Sequence, residues 1–298
     1  MKSFYELHKY ASHDTICGKN NERGDACLFA KIGLILNESK AEAIRLAEAA
    51  ASFFTENGIG TVCPERDSED ALGADLILTF GGDGTFLSGA RIAMAHDIPV
   101  MGINVGTVGF LTEAEPEQLE ECLQAILNHA YRMEERALLE VRLQSGETFT
   151  ALNDAVVTRG GFARMIQVEC TVDGELYSRI LADGIIAATS TGSTGYSLSA
   201  GGPIVQPDMD CIVLTPVCAH TLQICPCIVG GKSEIRFRLN PDRQQIAELQ
   251  IDGTDRGLLK AGDEVIVTGS ERKLKLLRIH PYRFFTRLQG KLTEWGSK

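Results

Sequence analysis

Directly behind the apolar run Leu76-Ile77-Leu78-Thr79-Phe80 stand Gly81-Gly82-Asp83-Gly84-Thr85, and Phe86 to Ala95 then reads as a helix. A buried strand that ends in three glycines around one carboxylate and passes straight into a helix commits this part of the chain to an α/β unit. Glycines without Cβ let backbone N–H groups close on a phosphate, and the helix N-terminus behind them favours negative charge. A carboxylate inside such an anion cradle is out of place electrostatically unless it binds a metal or takes a proton. That points to phosphoryl chemistry. The alternative is a tight turn whose Asp83 merely caps the helix.

The surrounding pattern supports a parallel sheet. Ile32-Gly33-Leu34-Ile35-Leu36 reads as a buried strand, and Ser39-Lys40-Ala41-Glu42 fits a capping box. Behind it Ile44, Ala47, Ala51 and Phe54 recur at helical spacing, with Leu46, Ala50 and Phe53 widening the apolar face and Gly58 as the stop. Strands at Gly60 to Cys63, at residues 75–80 and at Ile98 to Ile103 follow, then a helix from Pro116 to Asn128. Strands alternating with helices give a parallel sheet covered on both faces, with ligands at the carboxyl ends of the strands. The second glycine-rich loop, Gly102 to Phe110, leaves a strand end too.

Past about Arg132 the period changes to two. Ile235, Phe237 and Leu239 alternate with Arg236 and Arg238, while Val168 to Val172 and Leu176 to Ile180 flank the hairpin turn Asp173-Gly174. This half is predominantly antiparallel β. With 298 residues there is room for two domains of ordinary size.

Charge narrows the partners. A net charge of -11 argues against a nucleic acid or an anionic membrane, either of which would need a basic surface. No apolar run approaches the roughly 20 residues that span a bilayer, and Met1-Lys2-Ser3-Phe4-Tyr5 lacks the apolar core of a signal peptide. The nine cysteines are odd in number and fall in no regular framework, so free thiols in a reducing cytoplasm are expected. Cys225-Pro226-Cys227 is the one close pair, and a zinc site would need a second pair or a His pair.

In the second half, Asp183-Gly184 and the stretch from Thr189 through Thr194-Gly195-Tyr196-Ser197-Leu198-Ser199 to Pro203 are dense in hydroxyls and glycines and nearly free of charge. Such a loop can wrap a nucleoside, with hydroxyls and backbone groups as hydrogen-bonding partners and Tyr196 to stack. The alternative is a mobile linker. Asn153-Asp154 adds an amide and a carboxylate that could read a base edge or a ribose, although the pair is also ordinary turn chemistry.

Taken in order, Gly81-Gly82-Asp83-Gly84-Thr85, Gly102 to Thr112, Asn153-Asp154, Asp183-Gly184, the Thr-Gly-Ser-Thr block through Gly202-Pro203, and Asp252-Gly253 resemble the bacterial NAD kinases, with the match continuing to the tail Lys291-Leu292-Thr293-Glu294-Trp295. Residues 1–30, polar and irregular, read as a flexible extension and lie outside the resemblance, which runs from about Lys31. The resemblance implies an α/β plus all-β fold: a Rossmann-like parallel α/β domain over 31–131, an antiparallel β-sandwich nucleotide-binding domain over 132–280, and a tail, 281–298, returning to the α/β domain. It implies transfer of the γ-phosphate of ATP to the 2′-hydroxyl of the adenosine ribose of NAD, giving NADP, with Asp83 as general base. Gly81, Gly82, Gly84, Thr85, Phe110, Asn153, Asp154, Arg164, Asp183, Thr194, Gly195, Tyr196, Ser197, Leu198 and Ser199 match positions that bind substrate or nucleotide. A divalent metal, Mg²⁺, is implied as a companion of the ATP phosphates rather than as a protein-held ion, and a cytoplasmic homodimer or homotetramer is the implied assembly. The chain departs from the family pattern at Asp154, where Glu is usual, and at Leu181, Ser190, Gly195, Cys225 and Thr254. The glycine loop alone is shared with diacylglycerol and sphingosine kinases, so a lipid kinase is the competing enzyme class. A non-catalytic dinucleotide sensor is the competing non-enzyme.

Overall fold

The computed structural model describes residues 29–66, 68–107, 109–160, 164–220 and 224–296. Of the N-terminal extension, all but Phe29 and Ala30 lies outside the described residues. The chain forms two compact units. One holds the described residues through Glu135 together with those from Leu274 onward, and the other is Arg136–Lys273.

The first unit begins β1 (Lys31–Leu36), α1 (Ala41–Glu56), β2 (Gly60–Val62), β3 (Leu76–Gly81), α2 (Asp83–His96), β4 (Val100–Asn104) and α3 (Leu119–Leu127), with a 3-10 turn at Pro116–Gln118 before α3. The strands pair β2-β1-β3-β4, all parallel. Helices on the faces explain why every residue of β3 and β4 is buried and why these strands read as unbroken apolar runs. Helix α1 turns Ala43, Leu46, Ala47, Ala50, Ala51 and Phe54 inward onto a core that also takes Leu34, Leu78, Ile103 and Ile126. Each fully buried Leu, Ile or Phe there contributes about 1.5–3 kcal/mol.

Two local expectations fail for identifiable reasons. The capping box at Ser39 to Glu42 does not form. Lys40 takes the N-cap position without a side-chain cap, while the Ser39 backbone N–H and hydroxyl both donate to Asn37 Oδ1. A local turn two residues upstream has captured the hydroxyl that the helix would have used. A reciprocal box forms instead between Glu115 and Gln118. The helix expected from Phe86 starts three residues earlier, at Asp83, so the glycine loop shrinks to Gly81-Gly82.

In the second unit lie β5 (Arg132–Leu143, entered from the first), β6 (Thr148–Ala151), β7 (Asp154–Arg159), β8 (Ile166–Val172), β9 (Glu175–Ala182) and β10 (Gly184–Thr189). A 3-10 turn at Gly192–Thr194 and the one-turn helix α4 (Tyr196–Ser199) follow, then β11 (Cys211–Val217), β12 (Cys227–Gly230), β13 (Ile235–Leu239), β14 (Ile246–Ile251) and β15 (Thr254–Lys260). The long β16 (Glu264–Arg278) leads back to the first unit, where Leu276 pairs with Val100 and α5 (Phe284–Gly296) follows. Six strands make an antiparallel sheet in the order β12-β11-β10-β7-β14-β15. Strands β16-β13-β8-β9 make a second antiparallel layer. Val157, Ile185, Leu214 and Leu249 of one layer share a core with Val168, Ile180, Phe237 and Val265 of the other, which is a β-sandwich. Asp173 and Gly174 join β8 to β9 with φ of 51° and 83°, the left-handed pair of a type I′ hairpin turn.

Candidate functional site

In the first unit β3 and β4 lie in register with Gly81 beside Asn104, so the loops leaving their carboxyl ends are neighbours. Asp83 is the first residue of α2, behind an extended Gly82 that supplies no side-chain cap. The Asp83 carboxylate does not cap its own helix. It reaches across to the loop after β4, where Oδ2 accepts the Phe110 N–H at 3.2 Å and Oδ1 the Leu111 N–H at 3.1 Å. From α5, the largely buried Lys291 brings Nζ to 4.0 Å from Oδ2.

The glycines around this carboxylate serve different ends. A Cβ on Gly109 would come within 2.7 Å of Asp83 Oδ1 and 2.6 Å of Thr112 Oγ1, so glycine there makes room for the acid. Apart from chain neighbours and the helix's own backbone, a Cβ on Gly82 or Gly84 would meet nothing within 4 Å, and neither residue has positive φ. Packing and backbone geometry therefore do not demand glycine at 82 and 84. What these two positions leave clear is the approach to the first turn of α2, whose leading N–H groups have no acceptor within the helix. With the helix dipole added, that is the geometry in which a helix N-terminus can receive an anion. Gly81 closes β3, and Thr85 is buried in the first turn of α2. The ring of Phe110 is buried against Phe284 and Leu288 of α5, so what this residue turns toward Asp83 is its backbone N–H rather than its side chain.

The second unit builds its own constellation at one end of β7 and β10. Asp252, in a turn with Gly253 (φ of 48° and 73°), accepts the backbone N–H groups of Leu152, Asn153 and Asp154 at 2.8, 2.7 and 3.1 Å. Sequence reasoning had no role for Asp252 beyond the resemblance, although Asp-Gly is itself a hairpin-turn signal. Thr189 donates its N–H to Asn153 O and its hydroxyl to Leu152 O, which brings the Ser/Thr/Gly block onto the same segment. Contact is close: a Cβ on Gly192 would lie 2.0 Å from Asn153 O. One on Gly195 would lie 4.0 Å from Asn153 Nδ2 and from Asp154 Oδ2.

The block is neither a linker nor a ring of outward-facing hydroxyls. Ser190 donates to Pro207 O, Ser193 to Ser190 O, Thr194 to Thr191 O, and Ser197 shares its hydroxyl with Thr215, all of them buried. Those side chains satisfy buried backbone and hold a helical turn together. Exposed at its surface are Tyr196 and Ser199, with Gly195 and Leu198 half-buried. Asp154 is buried, and that burial, with the Asp252 charge second, pushes its carboxyl up to about 7.

Asp183 and Arg164 are not part of this group. Asp183 precedes β10 at its opposite end and pairs with Arg159 at 2.8 Å, and Arg164 stands exposed just before Ile166, which pairs with Ala182. The length of β10, about 17 Å, separates the two groups. Among the described residues no three His, Cys, Asp or Glu side chains gather as a metal-holding set, and the seven described cysteines are free thiols.

A family model described as the ATP-NAD kinase N-terminal domain matches residues 64–131, and one described as the ATP-NAD kinase C-terminal domain matches residues 152–279. Among curated relatives, an NAD kinase of Thiobacillus denitrificans is 40% identical over 288 residues, covering 95% of this chain and 97% of its own. One of Moorella thermoacetica is 41% identical over 241 residues, covering 79% and 77%. Among solved structures, an NAD kinase from Archaeoglobus fulgidus in complex with ATP superposes with a TM-score of 0.71 at 28% identity, covering 88% of this chain and 98% of that one.

Proposed function

The chain belongs to the NAD kinase family and is a kinase, and from that premise we propose that it moves the γ-phosphoryl group of ATP onto the 2′-hydroxyl of the adenosine ribose of NAD, with Asp83 as the general base. The observation that carries this reading is the setting of Asp83. A carboxylate stands at the mouth of a helix N-terminus left open by Gly82 and Gly84, yet is turned away from that helix by the N–H groups of Phe110 and Leu111. The cradle is thus left for phosphate while the acid stands beside it.

In the reaction Asp83 accepts the ribose hydroxyl proton as that oxygen attacks the γ-phosphorus, and ADP leaves with the electron pair of the broken P–O bond. Phosphoryl transfer is mostly positioning and neutralisation of phosphate charge, and a placed general base contributes about 10²–10⁴-fold. The N–H groups opening α2 hold phosphate oxygens. Asn153, Asp154, Gly195 and Tyr196 hold the nucleoside, and Asp183 with Arg164 serves a separate contact. A divalent cation, Mg²⁺, would arrive on the ATP phosphates and neutralise their charge.

The free thiols of the described cysteines support a reducing cytoplasm, and a homodimer or homotetramer is what the family resemblance implies. No helix among the described residues is long and apolar enough to cross a membrane. The test is NADP formation from NAD, ATP and Mg²⁺ by the purified protein beside Asp83→Asn. We expect turnover to fall by about 10²–10⁴ with NAD affinity largely kept. An Asp83→Asn enzyme with parental turnover would overturn the assignment of the base, and a folded parental protein that makes no NADP would overturn the reaction.

A further inference from the structure

The two N–H groups that grip Asp83 are themselves gripped from behind. Arg287 Nη1 donates to Gly109 O at 3.0 Å, and the Tyr282 hydroxyl donates to Phe110 O at 3.2 Å. The Gly109 carbonyl and the Phe110 N–H belong to one peptide group, and the Phe110 carbonyl and the Leu111 N–H to the next. A peptide group is planar, so fixing its oxygen aims its N–H. Each of the two peptide planes pointed at Asp83 is therefore held on its opposite edge by a side chain from the C-terminal segment.

The holders are in turn fixed. The Tyr282 ring carries the Arg278 and Arg287 guanidinium groups at 4.8 and 5.6 Å from its centroid. Arg278 forms a fully buried pair with Glu113 at 2.9 Å, and Arg287 Nη2 also donates to the backbone carbonyl of Glu113 at 3.0 Å. Lys291, from the same α5, closes the third side of the carboxylate. There is a physical need for such a frame. An unrestrained carboxylate on the first residue of a helix is drawn to that helix's own N–H groups, the same donors a phosphate would use.

We propose that Tyr282, Arg287 and Lys291 are positioning residues of the phosphoryl transfer, acting through Asp83 by holding its carboxylate out of the anion cradle and aimed at the acceptor hydroxyl. This rests on the reading of Asp83 as general base. Tyr282→Phe removes one hydrogen bond and keeps the ring beneath both guanidiniums, and Lys291→Met removes the charge beside Asp83 while keeping a long unbranched side chain of good helix propensity.

Each is made in the parental enzyme and in Asp83→Asn, and kcat and the KM values for NAD and ATP are measured with radiolabelled ATP. In the parental enzyme each should lower kcat by about 5–50-fold with KM within about threefold, since small misplacements of a reacting group are costly. Lys291→Arg should recover most of the loss. In the Asp83→Asn background the same substitutions should cost less than about twofold, because their path to the chemistry is already gone. Equal losses in both backgrounds, or no loss in the parental enzyme, would overturn the proposal. Full turnover by Asp83→Asn alone would instead overturn the general-base reading beneath it.

Discussion

Asp154 ties the stability of the sandwich unit to pH in a direction opposite to that of most carboxylates. Burial first, and the neighbouring Asp252 charge second, raise its pKa from 3.8 to about 7. A shift of that size corresponds to about 4 kcal/mol, an upper bound because the surroundings relax around a buried charge. Between these two values the folded protein binds a proton that the unfolded chain has already lost. The contribution is therefore complete below the unfolded pKa and disappears as pH rises through about 7. Of the total, about 3 kcal/mol falls between pH 5 and pH 8.

Asp154→Asn removes this ionisation and keeps the shape. Urea unfolding followed by circular dichroism at pH 5, 6, 7 and 8 would give both stabilities. The variant should gain on the parental protein by about 2–3 kcal/mol across that range, whatever its offset at pH 5. A difference that is flat with pH would refute the reasoning, and so would one that moves in favour of the parental protein.

Two glycines give contrasting expectations. Gly84→Ala adds a methyl group to open space in the first turn of α2. Thermal melts should show stability unchanged or raised by up to about 1 kcal/mol, while the KM for ATP rises and kcat falls at least tenfold; parental kinetics would refute the cradle. Gly192→Ala drives a methyl group to 2.0 Å from Asn153 O. Backbone must move, so the urea midpoint should drop by an amount worth about 3 kcal/mol or more, and a loss under about 0.5 kcal/mol would show that the two segments are not locked together.

What could be read from the chain alone follows the range of the interactions. The apolar runs of β1, β3 and β4 announce strands buried on both faces, because a parallel sheet under helices needs no polar side. Asp173-Gly174 announces its turn through its own backbone preferences. Ser39 misleads because a hydroxyl chooses between acceptors that sequence ranks equally, and Asn37 won. The Ser/Thr/Gly block misleads in a related way. Its composition is that of a hydrogen-bonding surface, yet Ser190, Ser193, Thr194 and Ser197 spend their hydroxyls on buried backbone and on one another's neighbours. The frame around Asp83 has no local signature at all. Tyr282 and Phe110 are 172 residues apart, and Arg287 and Gly109 are 178 apart, so no spacing rule joins them.

That separation has a consequence in time. The sandwich unit is an insertion in the chain of the first, and the glycine loop is synthesised long before the residues that aim its carboxylate. At about 5–20 residues per second, a ribosome needs about 10–40 s to travel from Gly109 to Arg287. Throughout that interval Asp83 lacks the partners supplied by Tyr282, Arg287 and Lys291, and the same electrostatics draw its carboxylate onto the N–H groups of its own helix. The open cradle and the aimed carboxylate thus arise together, once α5 has been made, rather than in the order in which their residues are synthesised.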